Sequence, residues 1–184
     1  IPAQVSSKDL SRWLAGVSFA RNVDGIIVTV PHKFACFELC TTSSERAGFL
    51  RAVNTMRRNA DGSWHGDMFD GLGYVEALRE KGCPLTGRRA LLVGAGGAGS
   101  AIAHSLVVAG VSELAVHDEN TVRRDSLIER LNSLNQAKVV IGSSDPGGFD
   151  VAINATPIGM QAQDPLPLLT DRLSATTFVG CVIK

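Results

Sequence analysis

The chain has 184 residues, a length that suits one large domain or two small ones. Its 45% hydrophobic and 20% charged residues belong to a folded globular protein and exclude a disordered one. Its 18 lysines and arginines balance 18 aspartates and glutamates, which leaves no overall basic footprint for nucleic acid or an anionic membrane surface.

In chain order, Ser7 is placed to cap a helix running to about Ala20, with Leu10, Trp13, Leu14 and Val17 at helical spacing. Gly25 to Val30 reads as a buried strand that Pro31 stops. Lys33 to Leu50 reads as two short helices, the second capped by Ser43 or Ser44. Ala52–Arg58 and Ser63–Asp67 flank Asn59-Ala60-Asp61-Gly62, whose Asp-Gly pair signals a hairpin. A helix from Gly71 to Lys81 then leads into Gly82-Cys83-Pro84-Leu85-Thr86-Gly87, a turn-rich stretch that suits a domain boundary.

The second half changes rhythm. Strands are expected at Arg88–Val93, Glu113–His117, Lys138–Ile141, Asp150–Asn154 and Thr177–Val182, with helices at Ala98–Ala109 and Thr121–Leu134. Strands alternating with helices imply a parallel sheet. The fold class is therefore α/β in two domains: an α/β domain over 1–84 and a Rossmann-type parallel-sheet domain over 85–184.

Four cysteines, Cys36, Cys40, Cys83 and Cys181, make no C-x-x-C pair and are too sparse for a disulfide scaffold, which points to a reduced, cytoplasmic setting. No apolar run approaches the ~20 residues a membrane helix needs, and no signal segment is seen. His32, His65, His104 and His117 lack metal spacing, so no metal is expected. The chain opens at Ile1 and closes at Lys184 directly after an apolar run, so truncation at both ends is the expectation.

Leu92-Val93-Gly94-Ala95-Gly96-Gly97-Ala98-Gly99 places Gly94, Gly96 and Gly99 in a G-x-G-x-x-G pattern between a strand and a helix, the context that gives this motif its meaning. Gly94 permits the turn, and Gly96 admits a pyrophosphate to the backbone. Gly99 lets helix and strand pack closely, while the N–H groups of Gly97 and Ala98 open the helix toward negative charge. Asp118, at the end of the next strand and 19 positions beyond Gly99, is suited to accept hydrogen bonds from an adenine ribose. A 2′-phosphate beside Asp118 and Glu119 would be repelled, which favours NAD over NADP. Arg123 and Arg124 could turn toward such a phosphate or simply form a solvated helix face.

Four further segments carry a family resemblance. Val28-Thr29-Val30-Pro31-His32-Lys33, Ala52-Val53-Asn54-Thr55, Gly66-Asp67-Met68-Phe69-Asp70-Gly71 and Asn154-Ala155-Thr156-Pro157-Ile158-Gly159-Met160 resemble, in order, the V-T-x-P-x-K, A-V-N-T, G-x-N-T-D-G and N-x-T-P-x-G-M signatures of the shikimate and quinate dehydrogenase family.

The resemblance implies a catalytic Lys33 and Asp70, and Thr29 and Asn54 on the hydroxyls of a cyclic hydroxy acid such as shikimate, quinate or an aminoshikimate. It also implies a cofactor loop holding Asn154, Thr156 and Met160. Read alone, Lys33 is a solvent-facing lysine after a strand, Asp70 a helix cap, Asn54 a turn residue and Met160 a gap-filler. The chain departs from the family at Asp67-Met68-Phe69, where the usual x-Asn-Thr is replaced, which puts the choice of acid in doubt. It departs again at Cys181, where an acidic residue is common, and it has neither the family's opening strand with its serine pair nor its closing helix with a glutamine. A folate-type methylene dehydrogenase and a non-catalytic NAD-binding sensor are the competing readings. A homodimer is left open.

Overall fold

The computed structural model describes residues 1–183, which form two compact units, Ile1–Phe69 and 70–183. The first unit opens with a single 3-10 turn at Ser7–Asp9, followed by α1 (Leu10–Val17). Ser7 therefore begins the 3-10 turn instead of capping the helix, and the Ser6 hydroxyl bonds the Asp9 carboxylate at 2.6 Å. Leu10 and Leu14, one helical turn apart, are the buried residues of α1.

A four-stranded mixed sheet follows, built from β1 (Gly25–Ile27), β2 (Thr42–Ser43), β3 (Thr55–Arg58) and β4 (Trp64–Asp67) in the order β1-β3-β4-β2. The strand expected to run to Val30 closes its ladder at Ile27, and a cis peptide joins Val30 to Pro31. β3 and β4 form the expected hairpin, with Thr55 opposite Asp67 and Arg58 opposite Trp64. β2 is a two-residue parallel partner of β4, too short to leave a periodic signal in the sequence. Helices α2 (Lys33–Glu38) and α3 (Glu45–Leu50) lie between β1 and β3 in the chain. Ser44 caps α3 by accepting the Ala47 N–H at 3.2 Å.

The second unit begins with α4 (Asp70–Glu80), which the contacts group with the later elements, ahead of the turn-rich 82–87 stretch. Five parallel strands make its sheet: β5 (Arg89–Val93), β6 (Glu113–His117), β7 (Lys138–Ile141), β8 (Val151–Asn154) and β9 (Phe178–Cys181), in the order β7-β6-β5-β8-β9. Helices α5 (Gly97–Val108) and α6 (Thr121–Asn132) follow β5 and β6. α6 is capped by the Asn120 side chain, which accepts the Arg123 N–H at 3.0 Å. Leu91, Val93, Ala115, Ala152 and Leu168 form a core cluster of this unit. The chain leaves β5 toward β6 on one side and returns to β8 on the other, so strand order reverses at β5. In open parallel sheets, ligands bind beyond the carboxyl ends of the strands at this point.

α4 crosses α5 so closely that a Cβ added at Gly71 would stand 2.0 Å from the Ala101 carbonyl oxygen and 2.4 Å from the Ser105 hydroxyl. The expected outcome for Gly71→Ala is a loss of about 1–3 kcal/mol through overpacking, measured by urea denaturation. Gly73→Ala is the control, because a Cβ there meets nothing within 4 Å.

Candidate functional site

The carboxyl ends of β5, β6 and β8 are brought level by register, with Val93 opposite both His117 and Asn154. The Gly94 N–H donates to the His117 carbonyl at 2.7 Å, and the Ala155 N–H donates to the Val93 carbonyl at 2.7 Å. Gly94, Asp118 and Ala155 therefore leave the sheet side by side. Gly94 has φ of 104°, and a Cβ there would lie 2.8 Å from the Ala155 carbonyl carbon, so no other residue fits this turn. A Cβ at Gly99 would meet the Gly94 oxygen at 1.9 Å, which gives Gly99 the close-packing role expected of it.

Gly96 is the N-cap of α5, has no side chain to fill that place, and a Cβ there meets nothing within 4 Å. The first N–H groups of a helix have no partner within it, so those of Gly97 and Ala98 open onto a bare cradle at the positive end of a 12-residue helix. These residues fit the pyrophosphate of a dinucleotide.

Asp118 is buried, 7% exposed, and its carboxylate is already engaged. Oδ2 accepts the Ala95 N–H at 2.6 Å, Oδ1 accepts the Asn120 N–H at 2.8 Å, and Arg123 Nη2 reaches both oxygens at 2.7 and 2.9 Å. Desolvation raises the Asp118 pKa, but the bonds from Ala95, Arg123 and Asn120 outweigh it and hold the carboxyl below its ordinary value. The residue expected to meet a ribose thus also ties the glycine-rich turn to β6. Arg123 lies against this carboxylate, and Arg124 pairs with Asp125 at 2.7 Å. The role of Arg123 was half-visible in the sequence as a basic residue in the first turn after Asp118, without the geometry that turns it back.

On the far side of Gly94, Asn154 is 3% exposed and organises the following loop. Its Oδ1 accepts from the N–H and hydroxyl of Thr156, and its Nδ2 donates to the Ile158 carbonyl at 3.0 Å and to Cys181 Sγ at 3.3 Å. Thr156 Oγ1 in turn accepts the Ile158 N–H at 3.1 Å. Asn154 and Thr156 shape the loop from within, while Met160 stands 61% exposed on it.

The first unit gathers the other candidates at one end of its sheet. Lys33 opens α2 and is only 9% exposed, unlike a solvent-facing lysine, and its carbonyl accepts the Val53 N–H at 3.0 Å. Asn54 is half-buried between two neighbours: its carbonyl accepts the Val28 N–H at 2.7 Å, and its N–H donates to the Asp67 carbonyl at 2.9 Å. Thr29, next after Val28, is exposed. Backbone hydrogen bonds thus hold Lys33, Thr29 and Asn54 within a residue or two of one another. Asp70 is the first residue of α4 in the second unit, where a carboxylate favours the helix N-terminus. Among the described residues there is no group of three or more His, Cys, Asp or Glu able to hold a metal, and no helix long and apolar enough to cross a membrane.

No protein-family model matches the chain. It is 44% identical over 138 residues to a shikimate dehydrogenase (NADP(+)) of Xylella fastidiosa, covering 73% of this chain and 49% of the relative. It is 39% identical over 171 residues to the shikimate dehydrogenase (NADP(+)) of Rubrobacter xylanophilus, covering 91% and 60%. The solved quinate dehydrogenase of Corynebacterium glutamicum, in complex with NAD, superposes with a TM-score of 0.83 at 31% identity, covering 99% of this chain and 66% of that one. The chain belongs to the shikimate and quinate dehydrogenase family. It spans about half to three-fifths of the length of these two curated relatives. Membership sets aside the folate-type alternative.

Asp118→Ala leaves the Ala95 N–H without its acceptor, at an expected cost of about 1–3 kcal/mol at pH 7. Because the folded-state pKa is depressed, the carboxylate's contribution is present above the unfolded value of about 3.9 and is lost as pH falls through the folded one. The gap in melting temperature between wild type and variant should therefore narrow on acidification below about pH 4.

Proposed function

We propose that this chain is the greater part of an NAD(P)-dependent oxidoreductase that oxidises, reversibly, a ring hydroxyl of shikimate or a related cyclic hydroxy acid to the ketone. The observation that carries the reading is the nearly buried Lys33, tied by backbone bonds to the Asn54 and Thr29 end of the sheet. A family likeness over most of the chain supports it independently.

In this reading Thr29 and Asn54 hold the substrate hydroxyls, and Lys33 receives the alcohol proton on oxidation and returns it on reduction. Asp70 is carried over from the family's motif as the second residue of the proton chemistry. The nicotinamide, when bound, supplies the hydride acceptor. Gly96, Gly97 and Ala98 hold the pyrophosphate, and the Asn154 to Met160 loop lies toward the nicotinamide end.

For the cofactor we favour NAD. Asp118 and Glu119 put two carboxylates at the end of β6 and Arg123 compensates one of them, leaving the position negative toward a 2′-phosphate. The names of the curated relatives carry NADP, and the quinate dehydrogenase was solved with NAD.

Two measurements follow, both on reduced-nicotinamide absorbance. Lys33→Ala should lower kcat by about 10²–10⁴, with the affinity for NAD in a direct titration unchanged; full turnover in this variant would overturn the proton-transfer role. Asp118→Asn should shift the ratio of KM values toward NADP, and an unmoved ratio would remove Asp118 from cofactor choice. NAD binding without turnover on shikimate, quinate or an aminoshikimate would instead favour a sensor.

A further inference from the structure

The first unit carries an exposed aromatic beside its candidate substrate residues. Phe69 is 45% exposed, and its backbone N–H donates to Asn54 Oδ1 at 2.9 Å, so the ring is anchored one hydrogen bond from a residue assigned to a substrate hydroxyl. The ring is held from behind as well. The Arg46 guanidinium lies 4.5 Å from its centroid, a cation–π distance, and Arg46 Nη2 is fixed by the Asp67 carboxylate at 2.7 Å. Asp67 is itself fixed, accepting from the Ser44 hydroxyl and from the Met68 N–H at 2.7 Å. Ser44, which also caps α3, Arg46 and Asp67 form a brace that holds one face of Phe69, and the residue remains 45% exposed. Met68, by contrast, is buried at 1% exposure and belongs to the core.

A braced phenyl face is a poor neighbour for a hydroxyl, which loses its water there and gains no partner, and a good one for C–H groups. We propose that Phe69 is a specificity-determining residue. It packs against the substrate ring edge next to the hydroxyl held by Asn54, and it selects cyclic hydroxy acids with C–H instead of hydroxyl at that edge. This inference rests on the dehydrogenase reading above.

The test compares shikimate, with three ring hydroxyls, and its 5-deoxy analogue, which keeps the reacting alcohol, one further hydroxyl for Asn54 and the acid. Each is followed by turnover of the full chain and by calorimetric binding. Wild type should prefer the deoxy acid in kcat/KM by roughly 10- to 100-fold, Phe69→Leu should keep that preference, and Phe69→Thr should erase at least tenfold of it. A ratio unmoved by Phe69→Thr, or a wild-type preference for shikimate, would overturn the inference while leaving the dehydrogenase intact. Neither binding nor turnover of either acid by wild type would overturn both.

Discussion

The second unit depends on the level alignment of three parallel strand ends. The register that sets Val93 opposite His117 and Asn154 is fixed by a buried apolar ladder, and a slip of one residue would turn every side chain of that ladder to the wrong face. Given that register, the Gly94 turn, the Asp118 carboxylate and the Asn154 loop have no freedom to separate. The short bond from Ala95 to Asp118 and the contact of Gly94 on Ala155 are its consequences. The cradle at the start of α5 is thus a property of the sheet as much as of the glycines.

A different logic governs the candidates of the first unit. Its candidates are placed by main-chain hydrogen bonds that run between segments far apart in sequence: Val53 to Lys33, Val28 to Asn54 and Asn54 to Asp67. Asn54 uses its carbonyl, its N–H and its Oδ1 in this work, and Oδ1 accepts from both Phe69 and Thr55. An asparagine so employed has little rotational freedom, as a residue that positions a small ligand requires.

Most of the fold was legible because it is periodic or punctuated. The parallel strands, the β3–β4 hairpin and the helices after β5 and β6 followed from apolar runs, Asp61-Gly62 and the glycine pattern. What stayed hidden was either short or dependent on tertiary context. β2 has two residues, and α1 starts two residues later than a Ser7 cap implied, because a 3-10 turn intervenes. Spacing alone located Asp118 but could not show its oxygens already met by Ala95, Asn120 and Arg123, since that requires α6 to turn its first turn back on the strand end. Lys33 and Asp70 were named through family likeness, whereas the brace behind Phe69 became visible only once β2 had set Ser44 beside β4.

The crossing of α4 on α5 at Gly71 has a bearing on how this family can change. Asp70 stands one residue before a backbone-to-backbone approach that admits no side chain, so its place is dictated by the glycine and the helix beneath it. Leu72, Gly73 and Glu76 on the exposed side of α4 are under no such constraint. Lineages can therefore rewrite the outer surface of this helix almost freely, drifting in charge and stickiness, while the carboxylate at its start stays where it was.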